Sequence, residues 1–577
     1  MSAPSVLIGL PAAPGVAMGR ALRVDANRVQ VPRYLLAPEE VAAELARWTT
    51  ARQAAAAELQ RLCASLGDGA SELAAVLEVH LLLLQDDVAD AAVREQIRRH
   101  RYNAEWALLA QADEFMRPLA AADDAYLRAR KADIEQVRDH VLRSLMATRQ
   151  PADDGPLPIA PAPTGEPRIL VAHDLSPADL LRLKQRGFAG FVTDVGGMTG
   201  HTAIVARSMG IPAVVGAGSA SKVVQPDDQL LLDGAAGKIW INPAPEQMAA
   251  FERKQCQWRK EQRALALLRD RPARTLDDQA VELLANIERP EDGQAARAAG
   301  AVGVGLFRTE FLFMGRSGNL PDEEEQFAAY RRLVEAMDGA PVTIRSVDIG
   351  ADKPLDDTDD RSLNPALSLR AIRWSLSRPD VFLTQLRAIL RAAAFGDVRL
   401  LIPMLTHARQ IHQTLALLTR AREQLSARGL RAAPLPVGAM IEVPGAALTV
   451  PTFLRHFDFL SIGTNDLIQY TLAVDRADAS LAELFDPLHP AVLRLVADTI
   501  AAGHAAGKPV TVCGEMAGDT RLTRLLLGLG LRSFSMQAGQ IPAVKREILR
   551  TRCADWRQRA RKIVRSDEPG TVLRTFA

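Results

Sequence analysis

The first residues that could do chemistry lie in the stretch GGMTGHTAIVARSMG, residues 196–210. Gly-rich backbone there leads to one histidine, His201, at the start of a predicted helix. The first turn of a helix presents unpaired N–H groups and a positive dipole end, which favour a bound anion. A neutral imidazole nitrogen can attack phosphorus at physiological pH. The stretch therefore predicts a phosphohistidine, with Thr199 in a supporting role and Arg207 reaching back to the new charge.

A second group of polar residues follows short apolar runs in the C-terminal half of the chain. Three arginines, Arg308, Arg345 and Arg476, carry planar guanidinium groups suited to the oxygens of phosphate and carboxylate. They indicate a small substrate with two anionic groups. Glu442 and Asp466 supply two carboxylates, the sparse protein shell that Mg²⁺ accepts alongside water and phosphate.

A thiol completes this group. Cys513, in VTVCGE, could deliver a proton to a developing carbanion or enolate. Each candidate also has a plain structural interpretation, because a single arginine is commonly an exposed ion pair and a lone cysteine commonly packs in a core. The segment SIGTNDLIQYTLAVDR, residues 461–476, favours function because packing does not explain polar residues at the end of an apolar strand. For His201, the Gly-rich segment before the predicted helix favours a functional role over a structural one.

The elements that must position the second group form a repeating pattern from about residue 271 to 577. Eight short apolar runs alternate with polar loops and amphipathic helices: VELLANI, GVGLFR, VTIRSVDIG, RLLIPML, VGAMIEV, FLSIGTND, VTVCGE and SFSM. Eight βα units predict a closed (β/α)8 barrel of the TIM type, with its active site at the C-terminal ends of the strands. The candidate residues end different predicted strands, so a closed barrel would gather them at one mouth. An open sheet would instead spread them along an edge.

The N-terminal half predicts an α/β domain interrupted by helices. Strand-like runs occur at residues 6–25 and again in RILVAHDL, FAGFVTDVGG, PAVVGAG and QLLLDG. Between them, residues 38–146 place apolar side chains at helical spacing, which indicates an inserted helical bundle. The sequence thus predicts a multidomain α/β protein with four parts: a phosphohistidine α/β domain (1–32 and 150–244), a helical domain (33–149), a linker helix (245–270) and the barrel (271–577).

Composition argues against several classes of function. Seventy Lys and Arg residues face 69 Asp and Glu residues, so a net charge of +1 provides no general attraction for nucleic acid or an anionic membrane. Four widely spaced cysteines predict a reducing, cytoplasmic location without structural zinc. No segment has the apolar length that a bilayer requires, and the first residues lack the basic region of a signal peptide.

Taken together, the motifs resemble enzyme I of the bacterial phosphotransferase system, within the family of PEP-utilising enzymes. The resemblance is carried in order by GGMTGHTAIVARSMGIPAVVG, GLFRTEFLFM, IRSVDIGADK, MIEVPGAAL, SIGTNDLIQYTLAVDR and VCGEMAGD. It implies that phosphoenolpyruvate phosphorylates His201 on Nε2, that the phosphoryl group passes to the histidine phosphocarrier protein HPr, and that pyruvate is released. This would be the first step of a phosphorelay for sugar uptake.

The resemblance also implies roles for individual residues. Phosphoenolpyruvate would be held by Arg308, Arg345, Asn465 and Arg476. Mg²⁺ would be held by Glu442 and Asp466, and Cys513 would protonate the enolate. The family further implies a homodimer formed through the barrel, HPr docking on the helical insertion around HLLLLQDD and DDAYLRARKADI, and a swing of the N-terminal part about the linker helix.

Two departures from the family pattern occur beside these residues. Many members have GGRTSHT where this chain has Met198 and Gly200, and DIGGDK appears here as DIGADK with Ala351. Three alternatives stay open: a regulatory enzyme I of the nitrogen branch without its sensory domain, a dikinase-like enzyme that uses ATP, and an inactive scaffold. The chain has no G-x-x-x-x-G-K-[ST] loop, which disfavours the dikinase.

Overall fold

The structure is a computed structural model that divides into two compact units, Met1–Glu261 and Gln262–Ala577, and each unit is described by itself. The described residues are 5–24, 31–64, 71–120, 125–147, 167–176, 178–180, 187–197, 201–313, 320–349, 365–475 and 479–576. None of the helices in these ranges combines the length and the apolar character needed to cross a bilayer.

The first unit contains a mixed sheet of eight strands. These are β1 (Ser5–Ile8), β2 (Leu10–Ala13), β3 (Val16–Val24), β4 (Arg168–Ala172), β5 (Gly190–Thr193), β6 (Ala213–Val215), β7 (Gln229–Asp233) and β8 (Lys238–Ile241). They lie in the order β1-β8-β7-β3-β4-β5-β6-β2. The run from β3 to β6 is parallel, and the other neighbours are antiparallel.

Alternation along the central strands gives this sheet two buried faces. On β4, Ile169 and Val171 pack into one hydrophobic core, whereas Leu170 and Ala172 pack into another. Successive side chains of a strand point to opposite faces, so an uninterrupted apolar run is what a sheet covered on both sides requires. The second of these cores also contains residues of the helical segment, including Trp48.

The helices of the first unit confirm the predicted insertion. Five of them lie in the chain between β3 and β4, which are neighbours in the sheet: α1 (Val41–Ala64), α2 (Ser71–Gln85), α3 (Asp87–His100), α4 (Ala104–Ala120) and α5 (Ala125–Ala147), preceded by a 3-10 turn (Pro38–Glu40). They are followed along the chain by α6 (His201–Met209), α7 (Ala220–Val223) and α8 (Pro245–Ala266). The exact bounds of the four predicted domains stay predictions.

The second unit contains a closed barrel of eight parallel strands, as predicted. The strands are β9 (Glu282–Ile287), β10 (Val304–Phe307), β11 (Val342–Arg345), β12 (Val398–Ile402), β13 (Val437–Ile441), β14 (Phe459–Ile462), β15 (Val510–Val512) and β16 (Ser533–Gln537). Each strand pairs with the next, and β16 pairs with β9 to close the barrel. Each of the eight apolar runs seen in the sequence therefore forms one strand.

Helices and 3-10 turns connect and follow the barrel strands. The α-helices are α9 (Asp292–Ala298), α10 (Glu323–Ala336), α11 (Ile372–Ser377), α12 (Pro379–Ala392), α13 (Ala408–Ala427), α14 (Pro444–Leu448), α15 (Val450–Leu454), α16 (Thr464–Leu472), α17 (Pro490–Ala505), α18 (Thr520–Gly528), α19 (Ile541–Leu549), α20 (Cys553–Val564) and α21 (Pro569–Arg574). The 3-10 turns are Glu310–Leu312, Pro365–Leu367, Ala393–Phe395, Ala479–Leu484, Glu515–Ala517 and Ala538–Gln540.

The barrel strands separate an outer core from a small interior layer. Outward side chains pack against the helices in one large core, which includes Leu460 and Ile462 of β14. The interior layer is formed by Leu306, Leu401, Met440, Phe459 and Cys513. Gly438 leaves room for the ring of Phe459, since a Cβ at that position would lie 2.3 Å from a ring carbon. The interior is therefore a packed core rather than a channel, as in other barrels of eight strands.

Candidate active site

The predicted binding and catalytic residues of the second unit lie at one end of the barrel. They follow or end different strands: Arg308 after β10, Arg345 on β11, Glu442 after β13, Asn465 and Asp466 in α16 after β14, and Cys513 after β15. All eight strands are parallel, so their C-terminal ends share one mouth. The structure places these six residues at a common end of the barrel, and their roles stay predictions.

Arg345 is buried in this mouth between two carboxylates. Its Nη2 donates to Oε1 of Glu310 at 2.9 Å, and its Nη1 lies 3.0 Å from Oδ2 of Asp348. Burial opposes a charge on Arg345, but the attraction of Glu310 and Asp348 outweighs it and raises the pKa of the guanidinium. Nε of Arg345 is buried without a hydrogen-bond partner among the described residues. That donor is available to a substrate oxygen.

Arg370, which was not among the residues predicted from the sequence, connects the acidic side chains of the mouth. Its Nη2 donates to both carboxylate oxygens of Asp348 at 3.0 Å and to Oδ2 of Asp466 at 3.3 Å. Its Nη1 donates to the hydroxyl of Tyr470 at 3.0 Å. Burial opposes its charge, but Asp348 and then Asp466 raise the pKa of Arg370 above its ordinary value. Asp348 lies in the motif IRSVDIG and could have been found there, whereas one arginine among many gives no such signal.

Glu442 and Asp466 form an acidic pair whose chemistry fits Mg²⁺. Both are buried, with 2% and 7% of their surface exposed. Burial, followed by repulsion from Asp466 and Asp348, raises the pKa of Glu442 to about 8. No group of three or more His, Cys, Asp or Glu side chains with metal-ligand geometry occurs in the described ranges. The protein thus offers two carboxylates, and a divalent cation that completes its shell with water and phosphate would remove their repulsion.

Cys513 occupies the interior layer just below the mouth. Its amide donates to the carbonyl of Ile462 at 3.1 Å, and its thiol donates to the same carbonyl at 3.5 Å. Burial raises the pKa of the Cys513 thiol to about 11, so the thiol keeps its proton at neutral pH. Nδ2 of Asn286 donates to the carbonyl of Cys513 at 2.9 Å, and the hydroxyl of Ser535 donates to Asn286 at 2.6 Å. The thiol is therefore both protonated and held in place, as a proton donor must be.

Asn465 and Arg308 have exposed partners at the mouth. Oδ1 of Asn465 accepts a hydrogen bond from the amide of Glu515 at 2.9 Å, and its Nδ2 donates to Oε1 of Glu515 at 3.2 Å. Arg308 forms an ion pair with Glu288 in which both side chains are about half exposed. Exposed pairs of this kind contribute little stability, so an anionic substrate can compete with Glu288 for the guanidinium.

In the first unit, His201 begins helix α6, as the sequence predicted. The hydroxyl of Thr202 donates to the carbonyl of Leu175 at 2.9 Å, which fixes the first turn of the helix against the loop that follows β4. Nη1 of Arg207 donates to the carbonyl of Ala12 at 2.9 Å. Gly196 has a φ of 114°, a backbone conformation that glycine adopts far more readily than other residues. This conformation explains why a glycine occupies that position before the helix.

Some residues singled out in the sequence lie outside the described part of the structure. These are Met198, Thr199, Gly200, Ala351 and Arg476, together with the side chain of His201 and, in the predicted HPr-docking segment DDAYLRARKADI, residues 123–124 and the side chains of 125–133. Their proposed roles rest on the sequence alone.

Comparison with known proteins places this architecture in one class. Domain models of PEP-utilising enzymes match the N-terminal domain at residues 8–130, the mobile domain at 164–237 and the PEP-binding domain at 262–553. The order of the matched domains agrees with the order of the sheet, helices and barrel in the chain. The fold and the mouth of the barrel therefore define a PEP-utilising enzyme.

Individual similar proteins assign the chain to one family within the class of PEP-utilising enzymes. The chain is 54% identical over 558 residues to a phosphoenolpyruvate-protein phosphotransferase of Cupriavidus necator, and the aligned region covers 95% of each chain. It is 39% identical over 549 residues to that of Haemophilus influenzae, with 94% of this chain and 93% of the other covered. Identity to that of Geobacillus stearothermophilus is 41% over 539 residues, with coverages of 92% and 91%. The chain belongs to the phosphoenolpyruvate-protein phosphotransferase family, which is enzyme I of the bacterial phosphotransferase system.

Proposed function

We propose that this enzyme transfers the phosphoryl group of phosphoenolpyruvate to His201 and then to the histidine of the phosphocarrier protein HPr, with release of pyruvate. Its place would be the first step of a phosphorelay for sugar uptake. The observation that carries the proposal is the barrel mouth, where Arg345 has a buried Nε donor without a partner beside an acidic pair. The names and the extent of the similar proteins support the same reaction.

The mouth would hold the substrate by its charged groups. Four residues bind phosphoenolpyruvate in this proposal: Arg308, Arg345, Asn465 and Arg476. The Arg345 guanidinium, which Glu310 and Asp348 hold in place, needs no reorganisation as charge moves from the enol ester, so it stabilises the transition state rather than only the bound substrate. Glu442 and Asp466 would hold Mg²⁺, which when bound supplies positive charge at the phosphoryl oxygens.

The remaining steps use Cys513 and His201. Breaking the P–O bond leaves the enolate of pyruvate, and the Cys513 thiol gives its proton to the methylene carbon while the electron pair stays on sulfur. Nε2 of His201 forms the new bond to phosphorus, and the N–H groups of the first turn of α6 favour the added negative charge. Thr199 and Arg207 would support the phosphorylated ring.

The helical segment would bind the carrier. Large apolar side chains are exposed on neighbouring helices of this segment: Leu82 on α2 is 58% exposed, Val88 on α3 is 76% exposed and Phe115 on α4 is 54% exposed. Exposed apolar residues with polar neighbours are typical of protein–protein contact sites. We place HPr docking on this segment, a homodimer contact on the barrel and the enzyme in the cytoplasm.

The direct test uses radiolabelled phosphoenolpyruvate and the purified full-length chain. The wild type should acquire an acid-labile phosphoryl label, and His201→Ala should acquire none, because no other histidine supplies the nucleophile. His504→Ala, at an exposed position on α17, is the matched control and should label normally. Persistent acid-labile label on His201→Ala would contradict the proposal. Offering sugar-type and nitrogen-type HPr side by side then identifies the carrier.

A further inference from the structure

Ser461 lies inside the barrel next to the position of Cys513. On β14, Phe459 belongs to the interior layer, whereas Leu460 and Ile462 belong to the outer core. Ser461 therefore points inward, because successive side chains of a strand alternate between faces. It pairs with Thr511 of β15. Cys513 is two residues beyond Thr511 and faces the same side, so Ser461 and Cys513 are diagonal neighbours on the inner face.

The hydroxyl of Ser461 is buried, and the residue is 1% exposed. Its Oγ makes no hydrogen bond of full geometry among the described residues, and its weak interaction with the Cys513 thiol lowers the pKa of that thiol. A hydroxyl kept from water in this way reduces stability, so its presence in a packed layer needs a reason. The resting thiol of Cys513 is no strong acceptor, and its own proton is directed to the carbonyl of Ile462.

We propose that Ser461 is a positioning residue that stabilises the thiolate left on Cys513 when the thiol proton moves to the enolate. The proposal rests on the proposed function. In the step, the S–H bond of Cys513 breaks, a C–H bond forms at the methylene carbon, and the electron pair remains on sulfur. Water returns a proton to sulfur before the next turnover.

A serine suits this role because its hydrogen bond strengthens only when charge appears. A thiolate accepts a hydrogen bond far better than a thiol does, so the hydroxyl favours the state after proton transfer over the state before it. Such a preorganised donor lowers the barrier at no cost in reorientation.

The charges that face Cys513 do not replace this donor. Burial raises the thiol pKa most, the hydroxyl of Ser461 lowers it, Glu442 raises it, and Arg345 and Arg308 lower it. The arginines act on sulfur through charge alone, and Arg345 is already engaged by carboxylates. Among these groups Ser461 is the short neutral donor that can remain beside the sulfur while the arginines bind substrate.

The test measures thiolate formation directly. Full-length wild type and Ser461→Ala are alkylated with iodoacetamide at several pH values below the thiol pKa of about 11, and the peptide that contains Cys513 is quantified by mass spectrometry. Only the thiolate reacts, so loss of the donor should slow alkylation of Cys513 about tenfold, the effect of roughly one pKa unit. Cys553, a second buried thiol, is the internal reference in the same sample: a rate that changes at Cys513 alone reports the Ser461 donor, whereas a change at both thiols reports opening of the fold.

Two further variants separate this role from packing. Ser375→Ala is the matched control, since Ser375 is also fully buried with an Oγ that has no partner, and it should leave Cys513 unchanged. Ser461→Thr keeps the hydroxyl and should restore most of the alkylation rate. Ser461→Ala should not lower the melting temperature, because the resting enzyme loses no hydrogen bond of full geometry. An unchanged Cys513 rate in Ser461→Ala, or a threonine variant as slow as the alanine variant, overturns the proposal.

A single-turnover measurement links the thiol to the reaction. In Ser461→Ala, pyruvate formation should slow about tenfold while phosphorylation of His201 keeps its wild-type rate, since only proton transfer is affected. Equal slowing of both steps would overturn the inference. A wild type that forms no phosphoprotein would instead defeat the proposed function, and the alkylation result would still decide what Ser461 does to the thiol.

Discussion

Charged side chains that are buried together at the barrel mouth leave a deficit of positive charge. Two arginines, Arg345 and Arg370, face four carboxylates: Glu310, Asp348, Glu442 and Asp466. Counted as ions they sum to −2, and the raised pKa of Glu442 is the local response to that excess. One divalent cation would balance the group, so charge at the residue scale supports the assignment of Mg²⁺.

Removal of one carboxylate from this group should therefore abolish the effect of Mg²⁺ on stability. At a concentration one hundred times its Kd, a ligand stabilises the folded state by about 2.7 kcal/mol, which raises Tm by several degrees. We expect Mg²⁺ to raise the Tm of the wild type and to have little effect on Glu442→Gln, as followed by thermal unfolding without substrate. Glu288→Gln, an exposed carboxylate of the same mouth, should respond like the wild type. Equal shifts in all three proteins would refute the Mg²⁺ assignment.

At the scale of elements, Glu323 connects helix α10 with α12 and with the C-terminal end of α13 on the outside of the barrel. It begins α10 and accepts from Arg387 of α12 at 2.6 Å, from Arg391 of α12 at 2.9 Å and from Arg428, just after α13, at 2.7 Å. Burial works against the charge, but hydrogen bonds from Arg428, Arg387 and Arg391 lower the pKa of Glu323 to about 2. The carboxylate therefore stabilises the arrangement of the helices only while it is ionised.

The pH dependence of this contribution can be measured. Because the folded-state pKa is below the ordinary value of 4.5, the stabilisation is full above that value and is lost as the pH falls toward about 2. Glu323→Gln should lower the free energy of unfolding by about 1 kcal/mol at neutral pH, a value reduced for solvent screening. The difference from wild type, read from urea midpoints, should shrink in acid. Glu324→Gln, whose carboxylate is 70% exposed, should change little. A pH-independent difference would show that Glu323 acts through packing instead.

The sequence predicts the strands and helices of this protein well, but it does not predict contacts between side chains that lie far apart in the chain. Each barrel strand could be predicted from an apolar run such as VGAMIEV, because a strand that is buried on both faces requires uninterrupted apolar residues. Positions at strand ends, such as Glu442, followed from the barrel symmetry. Arg370 did not, because it is 22 residues from Asp348 in the chain and no local pattern encodes their contact. The burial of the Ser461 hydroxyl inside the barrel likewise becomes visible only in the three-dimensional structure.

At the scale of the whole molecule, the two units have separate hydrophobic cores. The large core of the second unit draws its residues from 273–576, and the cores of the first unit draw theirs from residues 7–258. A unit that buries its own apolar surface can unfold by its own cooperative transition. We therefore expect calorimetry of the full chain to resolve two transitions.

Phosphoenolpyruvate with Mg²⁺ should raise the transition temperature of the barrel and leave the other transition unchanged. Gly438→Ala should lower the same transition by an amount equivalent to about 1–3 kcal/mol, since the new methyl group would overlap the Phe459 ring. Gly445→Ala is the matched control, because no atom lies within 4 Å of the added carbon. A single transition that moves as a whole would show that the units unfold together.

The strand order of the first unit has a consequence for biosynthesis. Ser5 of β1 pairs with Ile241 of β8, and Val24 of β3 pairs with Ala172 of β4. On a ribosome that adds about 5–20 residues per second, the nascent β1 strand waits on the order of 10 to 50 seconds before its partner is made. The intervening helices can form meanwhile, since their contacts are local. Chaperones that shield the earliest apolar strand should therefore matter more to the yield of this protein than those that act on the finished barrel.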